Sequence, residues 1–169
     1  EKKYFMGVDL GKEVDYTVIT ILNEFRELVY FKRFNKKDYS VMSDEIEYCL
    51  NQYKPYCYIE KNHNGGIIIE QLVKKGYGSY INSFVTSNPT KNNIVNLLRQ
   101  KFQEGKIYLT KDCKVLKSEL ESFEYTITPS GNITYQAPAG MHDDTVISLA
   151  LANLAVVDFH EQVTYFSKY

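Results

Sequence analysis

Tyr4-Phe5-Met6-Gly7-Val8-Asp9-Leu10-Gly11 is the stretch on which the reading of this chain turns. It is apolar on both alternating faces up to Asp9, the pattern of a central strand covered on both sides. A carboxylate at the end of such a strand is costly unless it is paired or binds a cation. Two further places repeat the pattern. Tyr56-Cys57-Tyr58-Ile59 ends in Glu60, and His142-Asp143-Asp144 opens the apolar segment from Thr145 to Ala150. Three such sites suggest one metal centre.

Outward from that first strand, residues 16–22 and 28–34 are rich in β-branched and aromatic side chains and predict two more strands. The short connections, Gly11-Lys12-Glu13 and Asn23-Glu24, predict an antiparallel meander. Residues 39–53 predict a helix, with Met42, Ile46, Cys49 and Leu50 on one face and Asp38 or Ser40 as its cap. Residues 56–60 form a fourth strand. A helix follows from Ile67 to Lys75, stopped by Gly76, then a short strand within 79–85. The next helix, 90–104, turns Ile94, Leu97, Leu98 and Phe102 inward and ends at Gly105. Residues 107–109 are extended and 112–122 helical. Residues 123–128 and 132–136 form a hairpin through Pro129-Ser130-Gly131. The last helix, 143–157, is apolar nearly all round and so deeply packed. Residues 158–169 are expected to form a tail or part of an interface.

This order predicts a mixed α/β sheet with flanking helices, in one domain. If strand four lies parallel beside strand one, Asp9 and Glu60 leave the sheet at the same edge, where open α/β sheets place ligands. The last helix then brings Asp143 and Asp144 there.

The bulk numbers exclude some classes. A chain of 169 residues, 44% apolar and 24% charged, is that of one globular domain, not a disordered segment. No apolar run reaches the roughly 20 residues of a membrane span, and no signal peptide is visible. Cys49, Cys57 and Cys113 lack metal spacing and read as buried free thiols in a reducing compartment. The chain opens at Glu1 without methionine and reads as a fragment of a longer protein. Its net charge of −1 gives no bulk attraction to nucleic acid. Residues 91–117, however, carry seven Lys or Arg against Glu104 and Asp112. That stretch suits a phosphate-facing surface or a solvated helix face, with Lys91, Arg99 and Lys101 as the candidate contacts.

Carboxylate oxygens suit Mg²⁺ or Mn²⁺, and no His/Cys set here suits zinc. Two such ions about 3.5–4 Å apart support in-line phosphoryl displacement. Asp9 would lie between them, with Glu60 on one side and the Asp143/Asp144 pair on the other. Adjacent helix residues point about 100° apart, so Asp143 and Asp144 cannot do the same job. Asp144, one residue further into the helix, is favoured as the ligand. Each acid has a plainer reading: a turn for Asp9, an ion pair with Lys61 for Glu60, and an N-cap with a first-turn charge for Asp143-Asp144. All three together in this order favour the metal centre. Asp15 reads as a turn or strand-start residue. His63 and His142 flank the acids and read as surface or capping groups, with contact to phosphate or water the alternative. Asn62 and Asn64 suit turn chemistry or the orienting of Glu60. The 15 tyrosines are spread as core and strand residues.

These residues resemble the C-terminal nuclease domain of the large terminase subunit of tailed bacteriophages, which has a ribonuclease H-like fold and is related to Holliday-junction resolvases. The resemblance spans residues 4 to about 157. It rests on Gly7-Val8-Asp9-Leu10-Gly11 with Asp15-Tyr16-Thr17-Val18-Ile19, and on Ile59-Glu60-Lys61-Asn62 with Gly65-Gly66. Thr90-Lys91, Glu104-Gly105-Lys106-Ile107, Glu119-Leu120 through Phe123, and His142-Asp143-Asp144 with Ser148-Leu149-Ala150-Leu151-Ala152 complete it. It implies a Mg²⁺- or Mn²⁺-dependent endonuclease that cuts concatemeric viral DNA during packaging, in the cytoplasm of an infected bacterium. Asp9, Glu60 and Asp144 match the acidic ligands, Asp143 is a second contact, and Lys91 would face double-stranded DNA. The implied partners are a packaging ATPase domain in the same full-length chain, the portal protein and the small terminase subunit. No G-x-x-x-x-G-K-[ST] occurs here, so the ATPase itself is not expected in these residues. The competing readings are a junction resolvase or transposase-like nuclease of the same fold, an actin- or sugar-kinase-like nucleotide-binding domain, and a silent docking module.

Overall fold

The computed structural model describes residues 2–11, 15–35, 38–63, 65–131 and 133–166. Lys12 and Glu13 of the first turn, Asn64, and residues 167–169 therefore lie outside the described residues. Three strands open the chain, β1 (Tyr4–Asp9), β2 (Thr17–Asn23) and β3 (Leu28–Phe34). They form the expected antiparallel meander, with a register shift between Ile21 and Leu22. Helix α1 (Tyr39–Tyr53) follows, capped by Asp38, which accepts from the Ser40 amide at 2.8 Å. Strand β4 (Tyr56–Glu60) then returns parallel to β1, and β5 (Ile81–Phe84) lies parallel to β4. The sheet order is β3-β2-β1-β4-β5, so β1 is central.

Alternation along β1 builds two cores. Met6 and Val8, with Ile19, Ile21, Cys57 and Ile59, pack on α1 and on α2 (Gly65–Leu72). Phe5 and Leu22 face the opposite layer. That layer holds α3 (Asn88–Gln103), α4 (Lys114–Ser122), the hairpin β6 (Glu124–Ile127) and β7 (Ile133–Gln136), and α5 (Asp144–Phe166). The fold is thus a mixed five-stranded sheet between two helical layers. Fully burying a side chain such as Leu149 or Leu151 contributes about 1.5–3 kcal/mol. No helix among the described residues is long and apolar enough to cross a membrane.

Helix α5 approaches β1 more closely than ordinary side chains permit. A Cβ on Gly7 would stand 2.1 Å from the Ser148 carbonyl oxygen and 2.4 Å from the Ala152 nitrogen. The buried Ser148 hydroxyl bonds the Gly7 carbonyl at 2.9 Å and shares a 2.8 Å hydrogen bond with Thr20. A polar group inside an apolar helix is thereby satisfied by the sheet backbone.

Several boundaries differ from the sequence expectation. Helix α3 starts at Asn88 rather than 90, because Ser87 and Thr90 form a capping box and Pro89 fits the first turn, where its missing N–H costs nothing. The helix expected over 67–75 starts earlier, at Gly65, and passes after Leu72 into a π-helical turn (Val73–Tyr77), with Gly76 at φ 97°. Phe102 is not inward: it lines an apolar groove of about 640 Å³ between α3, α4 and the hairpin. Helix α5 continues past 157 to Phe166, Phe159 packs edge-on against Phe5, and Tyr58 donates to the Asp158 carboxylate. The 107–109 segment is extended, with Tyr108 bridged to Glu27. Cys49 and Cys57 are buried free thiols, and Cys113 is half-buried.

Gly7→Ala should destabilise the fold by about 1–3 kcal/mol or more, because backbone rather than a pliable side chain meets the new methyl. The urea unfolding midpoint measures this, and an unchanged midpoint would show that α5 can retreat without loss.

Candidate metal centre at the carboxyl edge of the sheet

The parallel pairing of β1 and β4 places Val8 opposite Ile59. Asp9 and Glu60 follow next in their strands, and both leave the sheet at its carboxyl edge. Asp144 is the first residue of α5. All three are buried, each 8% exposed. With Asp15, Asp143, Lys91 and Thr86 they line a cleft of about 150 Å³.

Asp143 and Asp144 face different partners, as adjacent helix residues must. The Asp143 carbonyl accepts from the Ile147 amide at 3.0 Å, so Asp143 stands at the N-cap position. Its carboxylate bonds Lys91 Nζ at 2.6 Å. The Asp144 carboxylate instead accepts from the Tyr16 amide at 3.2 Å. His142 Nδ1 lies 3.7 Å from Asp144 and 3.8 Å from Asp15. Asp15, His142 and Asp144 can offer ligand atoms within 4.8 Å of one another.

The surrounding turns hold these groups in place. Asn62 bonds the backbone of Thr86 twice, at 2.7 and 2.9 Å, tying the loop after β4 to the loop after β5. Gly65 allows α2 to start hard against β4, since a Cβ there would lie 2.0 Å from the Glu60 carbonyl oxygen. Thr86 Oγ1 is buried at the cleft with no hydrogen-bond partner among the described residues.

Burial, followed by the hydrogen bond and charge of Glu60 and the charges of Asp144 and Asp143, raises Asp9 well above the ordinary carboxylate range. Burial first, then the charges of Asp15, Asp143 and Glu119, push Asp144 up to about 6, against the lowering effect of the Tyr16 amide. Among the described residues no Lys or Arg pairs with Asp9, Glu60 or Asp144. A crowded set of hard oxygen donors with so little compensating charge fits a divalent cation of the Mg²⁺ or Mn²⁺ type.

Residues 6–155 match the family model of the terminase RNase H-like domain. The chain belongs to that family. The large terminase subunit of Thermus virus P23-45 is 30% identical over 151 residues, which cover 88% of this chain and 31% of that protein. This terminase domain thus spans about a third of the length of its curated relatives. The nuclease of the large terminase of the thermophilic phage G20c, solved with bound magnesium, superposes with a TM-score of 0.82 at 27% identity, covering 91% of this chain and 82% of that one. The same nuclease with bound cobalt gives a TM-score of 0.79 at 27% identity, over 91% and 81% of the two chains. The fold of the terminase domain is therefore RNase H-like, as expected.

Not every anticipated residue reaches the cleft of this terminase domain. Lys91 does. Arg99 and Lys101 lie about 12 and 15 Å further along α3. Arg99 lines the apolar groove, and Lys101 is paired with Glu104 at 3.0 Å. His63 turns the chain after β4 with φ 57° and is not among the residues lining the cleft. Asp15 and His142, read as turn and surface residues, do join Asp144. Glu119 and Arg33, behind α5, had no functional assignment, and only the distance from a 6%-exposed carboxylate to its partners reveals them.

Asp144 sits above its ordinary value of 3.8, so its contribution to stability is fully present below that pH and is lost as pH rises through about 6. In EDTA, Asp144→Asn should therefore melt higher than the unsubstituted chain at pH 8, with the gap closing toward pH 4. Thermal melts across that range check it; a lower melting temperature for the variant at pH 8 contradicts the repulsion.

Proposed function

We propose that this chain is the nuclease domain of a longer phage packaging subunit, a divalent-metal-dependent endonuclease acting on double-stranded, concatemeric viral DNA. The observation that carries this reading is the convergence of Asp9, Glu60 and Asp144 in one cleft at the carboxyl edge of the sheet. Membership of the terminase family supports the substrate, and the magnesium- and cobalt-bound relative supports the metal.

Asp9, Glu60 and Asp144 would hold the ions, with Asp143 and Asp15 as further oxygen donors. Mg²⁺ or Mn²⁺ bound there would supply Lewis acidity toward a phosphodiester and would lower the pKa of a bound water. The chain's own residues orient the reactants. Asp9, at the end of the central strand, would be one of the ligands. Tyr16 directs one Asp144 oxygen through its amide and leaves the other for the cleft. Lys91, on the cleft wall, offers its ammonium to a phosphate in exchange for Asp143. Arg99 and Lys101 would act only on DNA that extends along α3. In the full-length protein the domain would work beside a packaging ATPase, the portal and the small subunit, in the cytoplasm of the infected host.

Plasmid cleavage in Mn²⁺, Mg²⁺ or EDTA tests the reading. Nicking and linearisation are expected with either metal, none in EDTA, and none from Asp9→Ala. Cutting by Asp9→Ala would remove Asp9 from the site, and strong preference for a four-way junction over linear duplex would turn the assignment toward a resolvase. Lys91→Ala should weaken DNA binding and reduce the slope of log K against log salt by about one. A fluorescence-anisotropy titration at several salt concentrations measures it, and an unchanged slope would place Lys91 off the DNA.

A further inference from the structure

Asp144 is held in place by groups that never touch the cleft. The Glu119 carboxylate, on α4, accepts from the Thr145 amide at 3.0 Å and from the Thr145 hydroxyl. It thus occupies the N-terminus of α5, where the first N–H groups lack partners within the helix. Arg33, on β3, stands 3.6 Å from the same carboxylate. Its guanidinium also covers the Tyr16 ring, 3.4 Å from the centroid, while the His142 ring meets Tyr16 edge-on at 5.4 Å. Tyr16 is the residue whose amide fixes the Asp144 carboxylate. One cluster, buried at Glu119 and Thr145 and half-buried at Arg33, Tyr16 and His142, therefore controls both the backbone that carries Asp144 and the donor that aims it.

Neither Glu119 nor Arg33 lines the cleft. The charge of Glu119 also opposes that of Asp144 rather than helping it ionise. The benefit of the buried acid to Asp144 is therefore geometric. Arg33 accepts a cost for its place, since its Nε is buried without a hydrogen-bond partner among the described residues. A planar guanidinium can stack on Tyr16 and approach a carboxylate at once, which a lysine ammonium cannot.

We propose that Glu119 and Arg33 are positioning residues that clamp the start of α5 and the Tyr16 loop, so that Asp144 is preorganised to receive a divalent cation. The proposal rests on the metal-site reading of the cleft. Groups that orient metal ligands from behind typically change affinity by about 10–100-fold when removed.

Mn²⁺ titration of this chain by calorimetry, beside thermal melts to show that each variant is folded at the assay temperature, tests the clamp. Glu119→Ala should weaken Mn²⁺ binding by about tenfold or more. Glu119→Gln keeps a carbonyl acceptor for the Thr145 amide and should stay within about threefold of the original affinity. Arg33→Lys keeps the charge but loses the stack, and should also weaken binding; it decides the matter if Glu119→Ala does not fold. A merely structural cluster would lower the melting temperature without moving the affinity of the folded protein. Unchanged Mn²⁺ affinity in folded Glu119→Ala or in Arg33→Lys overturns the clamp and leaves the metal site standing. No Mn²⁺ binding by the unsubstituted chain overturns both.

Discussion

Gly7 has no side chain, and the backbone of α5 occupies the space where one would be. The place of the third acid in the cleft follows from that close approach. Ser148 bonds the Gly7 carbonyl, which fixes the helix along its axis as well as in its distance from the sheet. The register then leaves Asp144, one turn before Ser148, beside the end of β1. A methyl group at Gly7 would lift the helix and carry the third acid away from the other two. Residues more than 130 positions apart in the chain thus form one site through a contact between backbones.

The same geometry concentrates charge that the described residues do not neutralise. Asp9, Glu60 and Asp144 are buried together, and among the described residues that line the cleft the one cation, Lys91, is already bonded to Asp143. Raised proton affinities at Asp9 and Asp144 are the consequence. Protons and divalent cations compete for such a site, because either one relieves the repulsion. The surrounding structure withstands it through two apolar cores and through bonds that pin the loops, notably Asn62 to Thr86 and Glu119 to Thr145.

Periodicity was enough to locate the meander, α1, β4 and the hairpin, since each has a clear two- or 3.6-residue pattern with turn residues at its ends. It was weakest where local chemistry competed. The helix expected from residue 90 starts at Asn88, with Pro89 inside its first turn, and Gly76 marks a π-helical turn rather than a clean stop. The continuation of α5 past 157 was missed because Asp158, His160 and Glu161 break the apolar run, although Phe159 still packs on Phe5 and Asp158 has a tyrosine partner.

Acid at the end of an apolar run is a local signal, and it marked Asp9, Glu60 and the Asp143-Asp144 pair without any knowledge of their neighbours. Strand type and the parallel return of β4 were legible for the same reason: they depend on side-chain pattern and connection length. Partnership is different, because it depends on distances across the fold. Local pattern alone reads Asp15, His142, Arg33 and Glu119 as ordinary turn, surface, strand and helix residues. The packing of α5 on β1 and of α4 behind it brings them to Asp144, and the same packing leaves Arg99 and Lys101 well away from the cleft. Burial and charge proximity are properties of the assembled layers, and they alone separate a solvated charge from one that holds a site in shape.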